Sequence, residues 1–164
     1  MPFIIEYNRR RAISYANRWA LSRNPAYYDF SEIGGDCTNF VSQCLYAGSR
    51  VMNYTPETGW YYISVNERSP SWTGVEFLYQ FLVNNKVRGP FGANIPVSDV
   101  RAGDVIQLWN GERFYHTLFV VSVGSAPAPE NILVNAHTLN AERRPLSTYN
   151  YKDLRAIGIL GVYI

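Results

Sequence analysis

Cysteine is scarce in this sequence, with two residues in 164. Two cysteines cannot build a disulfide framework, and Cys37 and Cys44 lie seven positions apart on one predicted helix. At about 1.5 Å of rise per residue, their Cα atoms would be roughly 10 Å apart. A disulfide needs Cα atoms within about 7 Å. Both thiols are therefore expected to be free, with Cys37 available to react and Cys44 in the core.

Charge of one sign and long apolar runs are lacking as well. The net charge is +2, which is too small to indicate a nucleic-acid ligand. Arg9-Arg10-Arg11 is the longest basic run, and we assign it to the solvated face of a first helix. No run approaches the roughly 20 apolar residues of a membrane span. The first residues lack the charged and apolar segments of a signal peptide, so export would require a longer chain.

The residues that are present indicate a globular fold. Apolar residues make up 47% and charged residues 17% of the chain, and we expect one domain over residues 1–164. Helices are predicted at about 7–23 and 37–48, and a third begins with a capping box formed by Thr73 and Glu76. A loop follows around Pro90. Strands are then predicted at 105–109, 116–123, 132–137 and 156–163. Helices followed by strands, without βαβ alternation, predict an α+β fold with an antiparallel sheet.

The central predicted helix begins with a Gly-Gly-Asp-Cys segment. Asp36 is a favourable N-cap residue, because its carboxylate can accept hydrogen bonds from the first turn. Gly48 can supply the left-handed residue that ends the helix. Cys37 would lie in the first turn, where the helix dipole favours an anion and lowers the pKa of a thiol. A small buried residue at a helix start is the plainer interpretation.

The two histidines favour a reactive thiol at Cys37 over a small buried residue. His116 begins one predicted strand and His137 ends the next. A hairpin that pairs residue 123 with residue 130 places the two histidines opposite each other, on one face of the sheet. His116 could then act as the base for Cys37, with His137 orienting its ring. A slip of one residue would give the position of His137 to Asn135 or Thr138. The alternative is two independent polar residues at strand ends.

Metal binding is a second interpretation of the same residues. One cysteine and two histidines, Cys37, His116 and His137, could hold zinc with an open position. The short ligand spacings that are typical of zinc sites are absent from the sequence, however, and no phosphate loop, dinucleotide fingerprint or HExxH helix occurs. We therefore expect no metal and no cofactor.

The chain resembles a known family over nearly its whole length, from Tyr7 to the last strand. The segments that carry the resemblance are residues 35–43 (GDCTNFVSQ), 71–74 (SWTG), 103–106 (GDVI), 116–117 (HT) and 136–138 (AHT). In this order they resemble the bacterial putative amidase domain family, a relative of the NlpC-like and CHAP cell-wall hydrolases. The resemblance implies a papain-like α+β fold, in which N-terminal helices pack on an antiparallel sheet.

The resemblance also implies roles for particular residues. Cys37, His116 and His137 match the catalytic triad, and Asn135 is the alternative third residue. The oxyanion hole would use the backbone N–H of Cys37, with Tyr28 nearby. The residues expected to line a substrate groove, if they do not pack in the core, are Trp60, Tyr62 and Trp72.

The implied function is hydrolysis of an amide bond in bacterial peptidoglycan. The bond could join muramic acid to the first alanine or lie within the stem peptide. The protein would act as a monomer, outside the cell or on the cell wall, as part of a longer exported chain. The alternatives are a non-catalytic module that binds cell-wall glycan or peptide with the same fold, and a metal-dependent hydrolase that uses Cys and His.

Overall fold

The computed structural model describes residues 2–164. Four helices lie before the main run of strands: α1 (Arg9–Trp19), α2 (Cys37–Ser49), α3 (Pro70–Thr73) and α4 (Val75–Asn84). The strands are β1 (Ile4–Ile5), β2 (Tyr62–Ser64), β3 (Glu67–Arg68), β4 (Gly89–Ile95), β5 (Val105–Trp109), β6 (Phe114–Ser122), β7 (Leu133–Ala136), β8 (Ala141–Pro145) and β9 (Asp153–Tyr163). None of the helices in residues 2–164 is both long enough and apolar enough to cross a bilayer.

The main sheet has seven strands and confirms the predicted α+β class. Its strand order is β1–β9–β5–β6–β7–β8, and β4 pairs with β9 in addition. All of the strand pairings in the described residues are antiparallel. β2 and β3 form a separate hairpin. The sheet therefore presents two faces, and the faces decide which side chains can meet.

Residues of β6 alternate between these two faces. Phe119 belongs to the core cluster that includes Phe40 of α2. Leu118 belongs to the cluster on the opposite face. Because successive residues of a strand point to opposite sides, Thr117 lies on the α2 face and His116 on the far face.

Both ends of α2 differ from the sequence-based expectation. Asp36 is the N-cap residue, but its side chain accepts no capping hydrogen bond from a backbone N–H of the first turn. The left-handed residue at the other end is Arg50, with φ of 56°, so the role predicted for Gly48 is wrong. Gly48 is needed for close packing instead, since a Cβ atom there would lie 2.5 Å from the ring of Tyr7.

The other helices also begin differently. α1 starts at Arg9, and the side chain of Asn8 caps it by accepting from Arg11 N. The predicted Thr73–Glu76 capping box is wrong, because Gly74 precedes α4 and Thr73 ends α3. The Thr73 hydroxyl instead accepts from the guanidinium of Arg68.

The strand prediction is confirmed for β5 at both ends and is shifted slightly for β6, β7 and β9. Two strands were not predicted. β4 begins with Gly-Pro and β8 is rich in charge, and both signals normally argue against a strand. Each strand pairs with one neighbour, β4 with β9 and β8 with β7. Proline and charge are tolerated at such sheet edges.

Candidate active site

Cys37 is the first residue of α2 and is 8% exposed. Its sulfur lies 3.8 Å from Thr38 Oγ1, and that hydroxyl is 2.9 Å from Thr117 Oγ1 on β6. The backbone of Thr117 also hydrogen-bonds the sulfur. The thiol is therefore held where the start of α2 meets β6.

The sheet is open beside this part of β6. At the end of the β6–β7 ladder that is nearest to Thr117, the last paired residues are Phe119 and Asn135. β7 ends at Ala136, and the chain then turns away through Thr138 and Leu139, which have φ of 59° and 65°. The β7 side of Thr117 is consequently not covered by a paired strand, and Cys37 lies against the strand at this point.

Burial sets the protonation state of the thiol. It raises the pKa of Cys37 above the ordinary value, and the Asp36 carboxylate raises it further. Hydrogen bonds from Thr117 and Thr38 lower the pKa but do not offset the burial. The prediction of a lowered pKa at the helix start is therefore wrong, because desolvation outweighs the helix dipole. Cys37 is a neutral thiol at neutral pH.

Asp36 anchors the start of α2 by its carboxylate and is fully buried. One oxygen accepts from Phe30 N at 2.8 Å and from Asn39 Nδ2 at 2.9 Å. The other lies 2.5 Å from His137 Nδ1 and 3.6 Å from Arg23 Nε. A buried carboxylate with these partners fixes the position of the residue that precedes the thiol.

His137 is committed to this anchor. Its ring stacks on Phe40 with centroids 4.0 Å apart. Nδ1 faces the Asp36 carboxylate, and Nε2 lies 2.7 Å from the carbonyl oxygen of Trp19. Both ring nitrogens therefore have hydrogen-bond partners. Neither nitrogen is left to orient His116.

The predicted register between the two histidine strands is wrong by one residue. Phe119 pairs with Asn135, so a continuation of the register would place Thr117, and not His116, opposite His137. The position facing His116 would fall to Thr138. An irregularity in the β6–β7 ladder shifts the pairing, and such a shift moves a side chain to the other face.

His116 lies on the far face with its ring against two tyrosines. The ring centroids are 6.0 Å from Tyr115 and 5.9 Å from Tyr149. Burial, with a smaller effect of the Arg144 cation, lowers the pKa of His116 to about 4. The backbone of Thr117 hydrogen-bonds the Cys37 sulfur, and within residues 2–164 the imidazole of His116 makes no hydrogen bond to that sulfur. The structure thus brings the backbone beside His116 near the thiol, with the imidazole on the far face.

The lowered pKa of His116 predicts acid-sensitive stability. An ordinary histidine in the unfolded chain binds a proton at about pH 6.5, whereas the folded protein resists protonation down to about pH 4. The free energy of unfolding should therefore fall as the pH drops from 6.5 to 4, by up to about 3 kcal/mol. Urea unfolding at several pH values should show this slope.

The matched variant for this test is His116→Gln, which cannot titrate. Its unfolding free energy should depend less on pH between 6.5 and 4 than that of the wild type. Asp29 and Glu76, whose pKa values are lowered by hydrogen bonds and by arginine partners, titrate equally in both proteins. Equal slopes in the two proteins would show that His116 is not the group responsible.

Asn135, the alternative third residue, is also fully used. Its Nδ2 donates to Ala16 O at 3.0 Å and to Asn17 Oδ1 at 3.2 Å. Its Oδ1 accepts from Arg143 N at 2.8 Å. These bonds join β7 to α1 and β8, so Asn135 does not reach His116.

Trp60 and Trp72 are core residues and do not line a groove. Both are fully buried. Trp60 Nε1 donates to Ser42 Oγ and Trp72 Nε1 donates to Asn39 Oδ1. Their indole N–H groups are satisfied inside the protein, which explains how such large amphipathic rings can be buried. The expectation that they contact substrate is wrong for this structure.

Tyr28 and Tyr62 are the more accessible members of the predicted site. Tyr28 is 40% exposed, and its ring packs edge-on against Phe30. The Tyr62 hydroxyl accepts from Tyr28 N at 2.8 Å, and the Tyr28 carbonyl accepts from Asn39 Nδ2. Tyr28 therefore lies in the loop that leads into α2, and Tyr62 of β2 is hydrogen-bonded to that loop.

Two of the residues around the thiol, Thr38 and Thr117, were not singled out as site residues from the sequence, and Thr138 was named only as an alternative to His137. Thr38 and Thr117 contact the sulfur, and Thr138 Oγ1 accepts from Asp36 N at 2.6 Å. The alternation of faces in β6 would have identified Thr117, had the register been known. The carboxylate role of Asp36 had no sequence signal, because its partners come from distant parts of the chain.

The residues of the alternative metal interpretation are not gathered. Within residues 2–164, no group of three or more His, Cys, Asp or Glu side chains is placed to hold a metal ion. Cys37 lies on the α2 face of the sheet, and His116 lies on the far face. His137 is bound to Asp36.

Comparison with known proteins places this sequence in a family. Residues 6–160 match the family described as "Putative amidase domain". The chain is 35% identical over 155 residues to "Uncharacterized protein YhbB" of Bacillus subtilis (strain 168), covering 92% of this chain and 47% of that protein. It thus spans about half the length of that relative. No solved structure matches the chain. The chain belongs to the amidase domain family that residues 6–160 match, whose description indicates hydrolysis of amide bonds.

Proposed function

We propose that the protein is a cysteine-dependent amide hydrolase of bacterial peptidoglycan, with Cys37 as the nucleophile and His116 as the general base. Family membership supports the amide-bond chemistry. The assignment of roles to Cys37 and His116 rests on one observation. The Cys37 sulfur, at the start of α2, contacts the backbone of Thr117. Thr117 directly follows His116, whose imidazole is neutral at neutral pH.

The protonation states fit a neutral-pair mechanism. His116 takes the proton from the neutral Cys37 thiol as the sulfur attacks the carbonyl carbon. The backbone N–H of Cys37 stabilises the developing oxyanion. His116 then returns the proton to the leaving amine, which departs and leaves a thioester on Cys37. Water, deprotonated by His116, attacks the thioester and releases the acid and the free thiol.

This mechanism requires the His116 ring to turn toward the sulfur. Catalytic hydrogen bonds are often loose before substrate binds and tighten in the complex. His137 holds the start of α2 through Asp36 and acts on Cys37 through that anchor.

The placement of the residues supports a relation to papain-like, NlpC-like and CHAP hydrolases. A helix begins at the cysteine and packs on an antiparallel sheet whose strand carries the histidine. The peptidoglycan substrate follows from this relation, with either the muramoyl-alanine bond or a stem-peptide bond as the target. Tyr28 and Tyr62, on the exposed loop before α2 and beside it, are the proposed substrate contacts.

One observation favours a second candidate, a non-catalytic wall-binding module of the same fold. The thiol is buried, and its pKa is raised. The imidazole of His116 packs against tyrosines on the far face. A protein that binds peptidoglycan without releasing amino groups would match this second function.

The proposal is tested by incubating the purified protein with peptidoglycan and measuring released amino groups. We expect release that survives EDTA and is lost after iodoacetamide treatment. Alkylation should be slow at pH 7 and faster above pH 9, because the pKa of Cys37 is raised by burial. Release that is lost with EDTA, or that persists when mapping shows Cys37 fully alkylated, would refute the proposed mechanism.

A further inference from the structure

A row of polar side chains crosses the α2 face of the sheet and leads to Cys37. Arg155 of β9 pairs with Gln107 of β5, and Gln107 pairs with Thr117 of β6. Directly paired residues share a face, so the three side chains lie side by side. Gln107 and Thr117 are fully buried, on the face that carries the core cluster with α2. Buried polar groups need partners, and the partners here form a continuous series.

Hydrogen bonds fix the orientation of the Gln107 amide. Its Oε1 accepts from Arg155 Nε at 2.9 Å and from Arg155 Nη2 at 2.6 Å. Its Nε2 donates to the carbonyl oxygen of Val75 at 2.9 Å. A guanidinium can only donate and a carbonyl can only accept, so the reversed amide would lose these bonds. Gln107 therefore presents an N–H, and not an oxygen, to Thr117.

This direction continues to the sulfur. Gln107 Nε2 donates to Thr117 Oγ1 at 3.3 Å, which leaves the hydroxyl hydrogen of Thr117 free to donate. Its neighbour is Thr38 Oγ1 at 2.9 Å. When Thr38 accepts this bond, its own hydrogen is free for the Cys37 sulfur, 3.8 Å away. Arg155, Gln107, Thr117 and Thr38 thus form a donor row that ends at the thiol.

We infer that Gln107 is a positioning residue for Cys37: through Thr117 and Thr38 it directs a hydroxyl hydrogen at the sulfur, which stabilises the negative charge on the sulfur once its proton is lost. This inference rests on the proposed role of Cys37 as the nucleophile. A hydrogen bond to a charged acceptor is stronger than one to a neutral acceptor, so the donor row favours the thiolate over the thiol. The donor row acts from the α2 face, on which Cys37 lies.

Other charges near the site also influence the titration of the sulfur. The charged and titratable groups beside the sulfur, its anchor or the donor row are Asp36, His137, Arg23, His116, Arg155 and Glu76. The Asp36 carboxylate disfavours the thiolate. All six groups are retained when Thr117 or Gln107 is substituted by an uncharged residue, so a changed titration reports the donor row.

The variant that tests this is Thr117→Val, which removes the hydroxyl and keeps the backbone contact with the sulfur. The rate of iodoacetamide labelling at Cys37 is measured by mass spectrometry over a range of pH. We expect the midpoint of the profile to rise by about half a pH unit, and labelling below the midpoint to slow about threefold, because the thiolate loses a polarised donor. The plateau rate at high pH should be unchanged.

Two further variants separate this effect from a structural one. Thr117→Ser restores a hydroxyl and should return the midpoint to the wild-type value. Gln107→Met keeps the Thr117 hydroxyl but removes the amide that directs it, so its midpoint should also rise; it serves as the test if Thr117→Val does not fold. A wild-type midpoint in the folded variant would overturn the inference, as would a change in the plateau rate alone, which reports access to the thiol.

Failure of the proposed function would appear differently. Labelling needs no turnover, so the midpoints can differ even if the wild-type protein releases no amino groups from peptidoglycan. That combination would remove the role of Cys37 as nucleophile and leave the donor row as a property of the thiol. Release of amino groups with equal midpoints would leave the hydrolase intact and remove Gln107 as a positioning residue.

Discussion

Cys37→Ala should abolish amide hydrolysis. Removal of a nucleophile from a cooperating catalytic set lowers kcat by up to about 10⁶-fold, because no other group can form the thioester. The substitution removes only the sulfur of a small side chain, so the variant is expected to fold. Amino-group release from peptidoglycan, compared at equal protein concentration and with the circular dichroism spectra matched, measures the effect.

Cys44→Ala is the matched control, since it removes a thiol from the same helix. Cys44 is fully buried in the core with Phe40 and Leu45, and burial raises its pKa well above the ordinary value. The variant should lose some stability through the small cavity but keep its turnover number. Comparable activity of Cys37→Ala and wild type would show that Cys37 is not the nucleophile.

Among the variants described, Asp36→Ala should cause the largest fall in the free energy of unfolding. The carboxylate is fully buried and has His137, Asn39 and the Phe30 N–H as partners. Breaking a buried pair by removing one member costs about 3–5 kcal/mol, because the other member is left without its partner. Urea unfolding should show a much lower midpoint with a similar slope.

Asp29→Ala is the surface control for this measurement. Its side chain is 47% exposed, with Arg23 Nε at 3.3 Å, and an exposed pair of this kind contributes about 0–1 kcal/mol. If Asp36→Ala and Asp29→Ala unfolded at the same urea concentration, the anchor at the start of α2 would have no energetic role.

The parts of the fold that could be predicted are those with a clear apolar period. The apolar positions of α2, among them Phe40 and Leu45, repeat at helical spacing, and β5 is a short apolar run after a Gly-Asp turn. β4 and β8 could not be predicted in the same way. Their backbone pairing with β9 and β7 overrides local sequences that contain Gly-Pro or adjacent charges.

The position of Cys37 was predictable from the sequence, but the geometry around it was not. The sequence identified Cys37 at the start of a helix, as the structure has it. It could not reveal that burial raises the thiol pKa, because solvent access depends on packing between distant segments. The observed β6–β7 register differs by one residue from the predicted register, and this difference separates His116 from His137. Register depends on irregularities that leave no local signal.

The most direct measurement of the central claim is a search for the thioester. The protein is mixed with a soluble peptidoglycan fragment, quenched with acid during turnover, digested and examined by mass spectrometry. The mechanism predicts the acyl part of the cleaved fragment on the peptide that contains Cys37, labile to hydroxylamine and absent from Cys37→Ala. Turnover without an adduct on that peptide, together with full activity of Cys37→Ala, would contradict the account.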